Sequence, residues 1–155
     1  MPKQILLIDD QTLITEGIKE EIERQNSSKI IIDVANKFYE AIDLLEKTSY
    51  DVICLDLNMP SIRGQACFNE LNGTTLNGWL FLKHYIFSKD AKYYEKCKNS
   101  KIFIFSGYID ELKNHIKALD IKRTEEKMWF VKLNLISKGL GDYDSLVQNI
   151  LKQLG

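Results

Sequence analysis

Short apolar runs recur along the chain, separated by longer stretches in which apolar residues fall at helical spacing. The runs are Ile5-Leu-Leu-Ile8, Ile30-Ile-Ile-Asp-Val34, Val52-Ile-Cys-Leu55, Ile102-Phe-Ile-Phe105 and the end of Met128–Ile136. Continuous apolar runs of this length are what strands buried on both faces require. The β-branched residues at 30–34 add to that reading. Between the runs, Leu13, Ile14, Ile18 and Ile22 put one apolar stripe on a helix over 11–25, which Gly17 weakens slightly. Phe38, Ala41, Ile42 and Leu45 make a second stripe that ends near Lys47, and Trp79–Phe87 reads as a third helix. Ile109, Leu112, Ile116 and Leu119 give the next, and Tyr143, Leu146, Val147, Ile150, Leu151 and Leu154 the last. Five strands alternating with five helices predict an α/β chain with a parallel sheet covered on both faces. Right-handed crossovers then leave few topologies.

The rhythm breaks at three places. Residues 61–77 carry the turn signals Asn72-Gly73 and Asn77-Gly78, yet they also hold Ile62, Cys67, Phe68, Leu71 and Leu76. A disordered loop is poorer in such residues, so the segment reads as an ordered insertion. It is either a lid over the ground next to Pro60, with Tyr108 adding cover from the opposite rim, or an extra helical turn on the sheet edge. Lys89–Ser100 is polar and charged and reads as helix extension or loop. Asp120–Lys127 is charged and expected to be solvated, and Trp129-Phe-Val131 either begins the last strand or covers it.

Composition narrows the class. At 155 residues, 45% hydrophobic and 28% charged, the chain fits one globular domain with one core. A net charge of −1 makes no electrostatic case for nucleic acid or for an anionic membrane surface. No apolar run approaches a membrane span, and the start of the chain is too short in apolar residues and too acidic for a signal peptide. The three cysteines, Cys54, Cys67 and Cys97, lack metal-ligand spacing and suit a reducing, cytoplasmic setting.

The chemistry sits at the ends of the runs. Asp56 follows Val52–Leu55 directly, and Asn58 and Pro60 then force a turn. In a parallel sheet the carboxyl ends of the strands share one edge, where ligand sites of open α/β sheets lie. That edge gathers Asp9, Asp10, Asp56, Ser106 and Lys138. Singly, each has a plainer reading: Asp9, Asp10 and Ser106 as helix caps, Lys138 as a surface lysine. Their coincidence at strand ends argues for a site. Clustered carboxylates repel unless a cation joins them, and Mg²⁺ suits an all-oxygen site that keeps several waters. A carboxylate there can attack phosphorus, with Lys138 and Ser106 holding the phosphoryl oxygens.

Asp9-Asp10, Asp56-Leu-Asn-Met-Pro60, Ser106-Gly107 and Lys138 together resemble the receiver domain of two-component response regulators, over the whole chain 1–155. The resemblance implies a flavodoxin-like, doubly wound sheet of order 2-1-3-4-5. It implies that Asp56 accepts a phosphoryl group from a sensor histidine kinase or a histidine phosphotransfer protein. Asp10, Asp56 and the backbone carbonyl of Asn58 would hold Mg²⁺, with Asp9 acting through metal-bound water. Ser106 and Lys138 would bind the phosphoryl oxygens and report to a downstream protein target. Catalysis beyond self-catalysed transfer to Asp56 and its hydrolysis is not implied. No output domain follows in the sequence, so signalling by protein contact is expected. The competing reading is a pseudo-receiver, a binding module that never uses the phosphoryl group; the full acidic, hydroxyl and lysine set weighs against it. A haloacid-dehalogenase-type phosphatase needs a second Asp where Asn58 stands.

The chain departs from the family pattern at several points. Gly139 replaces the proline that usually follows the lysine, which disfavours a cis peptide there. Leu135 stands where many receivers carry a rotating Tyr or Phe, so no buried ring is expected to follow Ser106. The family's glycine soon after Met-Pro is Gly64 or Gly78, and the insertion follows from that choice. His84 and His115 read as structural or surface residues.

Overall fold

The structure, a computed structural model, describes residues 2–26, 29–60, 76–139 and 143–155. Its strands are β1 (Lys3–Ile8), β2 (Ile30–Ala35), β3 (Val52–Leu55), β4 (Lys101–Ser106) and β5 (Asn134–Ser137). Its helices are α1 (Thr12–Gln25), α2 (Phe38–Lys47), α3 (Asn77–Leu82), α4 (Tyr94–Cys97), α5 (Ile109–Lys117), α6 (Thr124–Phe130) and α7 (Tyr143–Leu154). A π-helical turn, Lys83–Phe87, continues α3. The strands form one parallel sheet of order β2-β1-β3-β4-β5, the flavodoxin-like order that the resemblance implied.

The pleat sorts the apolar runs into two cores. Leu6, Ile8, Ile53, Leu55, Ile102 and Ile104 point to one face and pack against α2, α3 and α5. Ile5, Leu7, Val52, Cys54, Phe103 and Phe105 point to the other and pack against α1 and α7 through Ile18, Ile22, Leu146, Val147 and Ile150. Aromatic contacts knit the first core: Phe38 stacks on Phe81 with ring centroids 5.0 Å apart, and Phe81 on Tyr85 at 5.3 Å. In register, Ile8 lies beside Ala35 and Leu55, Leu55 beside Ile104, and Ser106 beside Ser137. The strands therefore end together, and the residues that follow them share one edge.

The structure corrects the sequence reading at Leu13 and Glu126 and decides between alternatives elsewhere. Leu13, expected on the buried stripe of α1, is 82% exposed, and Thr15 is buried in that helix's first turns instead. Asp120–Lys127, expected to be solvated, is exposed at Asp120 and Lys122–Glu125 and contains a turn of 3-10 helix and most of α6; the exception is Glu126, which is buried. Glu126 accepts from the Trp79 indole N–H at 3.3 Å and pairs with Arg123 at 2.7 Å and Lys83 at 3.6 Å, so the charged stretch docks on α3. Trp129 and Phe130 belong to α6, and the last strand starts at Asn134. Lys89–Ser100 is loop with the short α4, and its Lys96 ammonium donates to the Leu45 and Glu46 carbonyls at the end of α2. Of the expected insertion at 61–77, residues 61–75 lie outside the described residues, and with them both readings of that segment. Gly64 lies there too.

Candidate functional site

The segments leaving β1, β2, β3 and β5 are fixed to one another by backbone geometry. Asp9 N–H donates to the Ala35 carbonyl at 3.0 Å, Asp56 N–H to the Ile8 carbonyl at 3.0 Å, and Lys138 N–H to the Ser106 carbonyl at 3.0 Å. The Asn36 amide adds a side-chain strut, its Nδ2 donating to the Asp9 carbonyl at 2.8 Å. These bonds place the acidic side chains. Asp9 and Asp56 are buried and Asp10 is exposed, and each offers a carboxylate oxygen within 4.8 Å of the others. Among the described residues this is the group of such side chains arranged to hold a metal ion.

Lys138 compensates the cluster. Its Nζ lies 2.7 Å from Asp9 Oδ2 and 3.0 Å from Asp56 Oδ2, and donates to Gln11 Oε1 at 3.0 Å. Burial would pull its pKa down, but the hydrogen bond to Asp9 and the charges of Asp56 and Asp9 outweigh that and hold it above the ordinary lysine value. Burial pushes the Asp9 carboxyl up, against the Lys138 and Gln11 N–H bonds that pull it down, and the negative Asp56 adds to the rise. A buried carboxylate so placed gains from any further cation.

The loop after β3 is equally fixed. Asn58 N–H faces Asp56 Oδ1 at 3.3 Å, while the Asn58 side chain is exposed. Leu57 and Met59 are buried, which leaves Asp56 and Asn58 to face the cleft. Asn77 Nδ2 donates to the Met59 carbonyl at 2.7 Å, and Gly78 N–H donates to the Leu57 carbonyl at 2.8 Å. A Cβ on Gly78 would sit 2.4 Å from the Asp56 carbonyl oxygen and 2.9 Å from Leu57 Cα, so only glycine allows α3 this close to the loop.

The structure thus brings Asp9, Asp10, Asp56 and Lys138 together. Ser106 lies at the end of β4 and is fully buried, and its Oγ accepts from Tyr108 N–H at 3.1 Å, a turn at the entry to α5. The bond makes a local turn ahead of α5 rather than a cap, since the N-cap residue of that helix is Tyr108 and no side chain caps it. Sequence reasoning missed Asn36, Gln11 and the choice of Gly78. Asn36 carries a signal, a polar amide directly after a strand; Gln11 carries none.

Comparison with known proteins agrees with this geometry. The model of the response regulator receiver domain family matches residues 5–92. NarL, the nitrate/nitrite response regulator protein of Escherichia coli K12, is 34% identical over 77 residues, covering 50% of this chain and 35% of NarL. The transcriptional regulatory protein DegU of Brevibacillus brevis is 34% identical over 68 residues, covering 44% of this chain and 28% of DegU. The chain thus spans about a third of the length of the curated relatives it matches. Among solved structures, the chemotaxis response regulator CheY4 of Vibrio cholerae superposes with a TM-score of 0.62 at 17% identity, over 99% of both chains. The response regulator TrrA of Thermotoga maritima, solved in complex with Mg²⁺ and a beryllium fluoride, superposes at 0.56 with 22% identity, over 97% of this chain and 98% of TrrA. The chain belongs to the response regulator receiver domain family. The acidic cluster of Asp9, Asp10 and Asp56 lies where the family model and the fold lead one to expect it. No helix among the described residues is long and apolar enough to cross a membrane.

Proposed function

We propose that Asp56 is the phosphoacceptor of a two-component phosphorelay. A carboxylate oxygen of Asp56 attacks the phosphorus of a phosphohistidine on a sensor histidine kinase or a histidine phosphotransfer protein. The new bond joins that oxygen to phosphorus, the P–N bond breaks, and its electron pair returns to the imidazole. One observation carries this reading: the Lys138 ammonium lies 3.0 Å from Asp56 Oδ2 at the carboxyl edge of the sheet. A cation already facing the nucleophile is placed to take the phosphoryl oxygens as charge moves onto them.

Asp9, Asp10, Asp56 and the Asn58 backbone carbonyl form the donor set for Mg²⁺. The set fits that ion: its donors are hard oxygens, the carboxylates lie within 4.8 Å of one another, and the exposed Asp10 leaves room for waters. Mg²⁺ held there supplies charge neutralisation for the carboxylates and the phosphoryl group. The Ser106 hydroxyl leaves Tyr108 N–H and donates to a phosphoryl oxygen. With Leu135 half-buried on β5, no ring follows it, and the surface of α5, β5 and α7 carries the contact with a downstream protein.

The test is incubation with Mg²⁺ and acetyl phosphate, read by intact mass. The parent gains one phosphoryl group, chelation of Mg²⁺ prevents the gain, and Asp56→Asn abolishes it. A stoichiometric phosphoryl group on Asp56→Asn overturns the assignment.

A further inference from the structure

Two bonds tie the start of α3 to the loop that carries Asp56. Gly78 N–H donates to the Leu57 carbonyl at 2.8 Å, and Asn77 Nδ2 donates to the Met59 carbonyl at 2.7 Å. The carbonyl between them, that of Asn58, meets no donor among the described residues.

A peptide unit is a rigid plane, so a loop changes shape by turning its planes about the Cα atoms. The plane that carries the Leu57 carbonyl is held at both ends, its oxygen by Gly78 and its Asn58 N–H by Asp56 Oδ1 at 3.3 Å. The plane that carries the Met59 carbonyl ends in Pro60, which has no N–H to give, so the Asn77 bond is its anchor. With both neighbours held, the plane between them loses the freedom to turn, and the Asn58 oxygen is fixed with it.

The Asn77 amide is committed to this bond. Asn77 is buried and opens α3, whose N-cap residue, Leu76, makes no side-chain cap. An Asn at a helix start ordinarily turns to the helix's own N–H groups. This one reaches back across 18 positions to the loop. A connection of that length could span about 50 Å if extended, so it does not itself keep α3 on the loop. The bonds at its base do.

We propose that Asn77 is a positioning residue that acts through the Asn58 carbonyl: by anchoring the Met59 carbonyl, it holds the Asn58 oxygen ready as a neutral donor to a divalent cation. The inference rests on the reading of Asp9, Asp10, Asp56 and the Asn58 carbonyl as the Mg²⁺ donor set, and deepens it. Mg²⁺ demands near-ideal geometry of its oxygens. A donor that must be ordered as the ion binds gives a weaker site than one already in place. Without the Asn77 anchor the plane between residues 58 and 59 turns, and ordering it again lowers affinity.

The experiment titrates the full chain with Mn²⁺, a paramagnetic stand-in for Mg²⁺, and reads the free ion by electron paramagnetic resonance. Asn77→Leu keeps the branched shape and removes the donor, so affinity falls about 2- to 10-fold, the span one ordinary hydrogen bond commands. Phe81→Leu is the structural control: Phe81 is fully buried in α3 and stacks on Phe38, so this variant loses stability with the Met59 bond intact, and its Mn²⁺ affinity stays at the parent value. Asn77→Ala takes the place of Asn77→Leu if the latter shows no cooperative thermal transition, and failure of both to fold makes Asn77 a structural residue and overturns the inference. A folded Asn77 variant with parental affinity, or an equal fall in Phe81→Leu, overturns this inference alone. A parent that binds no Mn²⁺ at millimolar concentration overturns the donor-set reading, and this one with it.

Discussion

One added methyl group at Gly78 tests how the loop that carries Asp56 is seated. In Gly78→Ala the new Cβ would lie 2.4 Å from the Asp56 carbonyl oxygen, 2.9 Å from Leu57 Cα and 3.1 Å from the Asp56 carbonyl carbon. All three are backbone atoms, so no side chain can swing aside. Ordinary contact begins at 3.4 Å, and one of the two backbones must give way by about 1 Å to reach it. If α3 moves, it carries the fully buried Trp79 and Phe81 with it; if the loop moves, Asp56 leaves Lys138. Overpacking of this kind costs about 1–3 kcal/mol, and the rigid contact places this case in the upper half of that range. The helix propensity of alanine over glycine returns at most about 1 kcal/mol. A net loss of about 1–2 kcal/mol follows, or a fall in melting temperature of about 2–8 °C for a chain of this size. Far-UV circular dichroism in a urea series gives the first number, and the rate of phosphorylation by acetyl phosphate shows which backbone moved. Gly107→Ala is the matched control, since its Cβ would meet nothing within 4 Å. If Gly78→Ala matches Gly107→Ala in both stability and rate, the close approach of α3 to the loop is wrong.

The buried acid of α6 supplies another test: Glu126→Ala takes the acceptor from the buried Trp79 indole N–H, and urea unfolding should show a loss of about 1–3 kcal/mol, with Glu126→Gln milder because it keeps an acceptor. On α1, Leu13→Ser should leave stability within about 0.5 kcal/mol because the side chain is 82% exposed, whereas Ile18→Ala should cost about 2–5 kcal/mol; equal effects would contradict the observed rotation of the helix. Burial, together with the hydrogen bond to Glu46, pushes the Tyr93 hydroxyl up to about 12. A raised folded value stabilises the protonated form, so this contribution is complete below pH 10, the ordinary tyrosine value, and is lost as pH rises through about 12. Unfolding free energies taken from pH 9 upward should therefore fall faster in the parent than in Tyr93→Phe, and parallel curves would refute the shift.

Much of the fold was legible in the sequence because it depends on local pattern. Val52–Leu55 is buried throughout, and a run with no alternation has no other stable home than a doubly covered strand. The helical stripes of α2, α5 and α7 were read for the same reason. Leu13 was misread because an apolar residue next to Ile14 extends the stripe on paper, while the turn of α1 is set by Ile18 and Ile22 against the sheet. Asp120–Lys127 is solvated as its charge suggests at Asp120 and Lys122–Glu125, and the reading fails only at Glu126. Glu126 is buried only because Trp79, Lys83 and Arg123 meet it, and two of those partners lie more than 40 positions away.

The site divides along the same line. Asp9, Asp10, Asp56 and Lys138 could be found because each follows an apolar run, and parallel strands carry whatever follows them to one edge. Asn36 is marked only by its place directly after β2, and Gln11 by nothing local: its side-chain contact is made by the partner that arrives. Gln11 meets Lys138 only once β5 has been laid beside β4 and Lys138 N–H has found the Ser106 carbonyl. The same holds for the glycine. Nothing local marks Gly78, and its need to be glycine comes from the Asp56–Leu57 backbone pressed against it. The carboxylates and the lysine are thus legible through the topology, while the amides and the glycine that pack around them are legible only through contacts. Substitution at Gln11 and Gly78 consequently probes the assembled edge more directly than further substitution of the carboxylates.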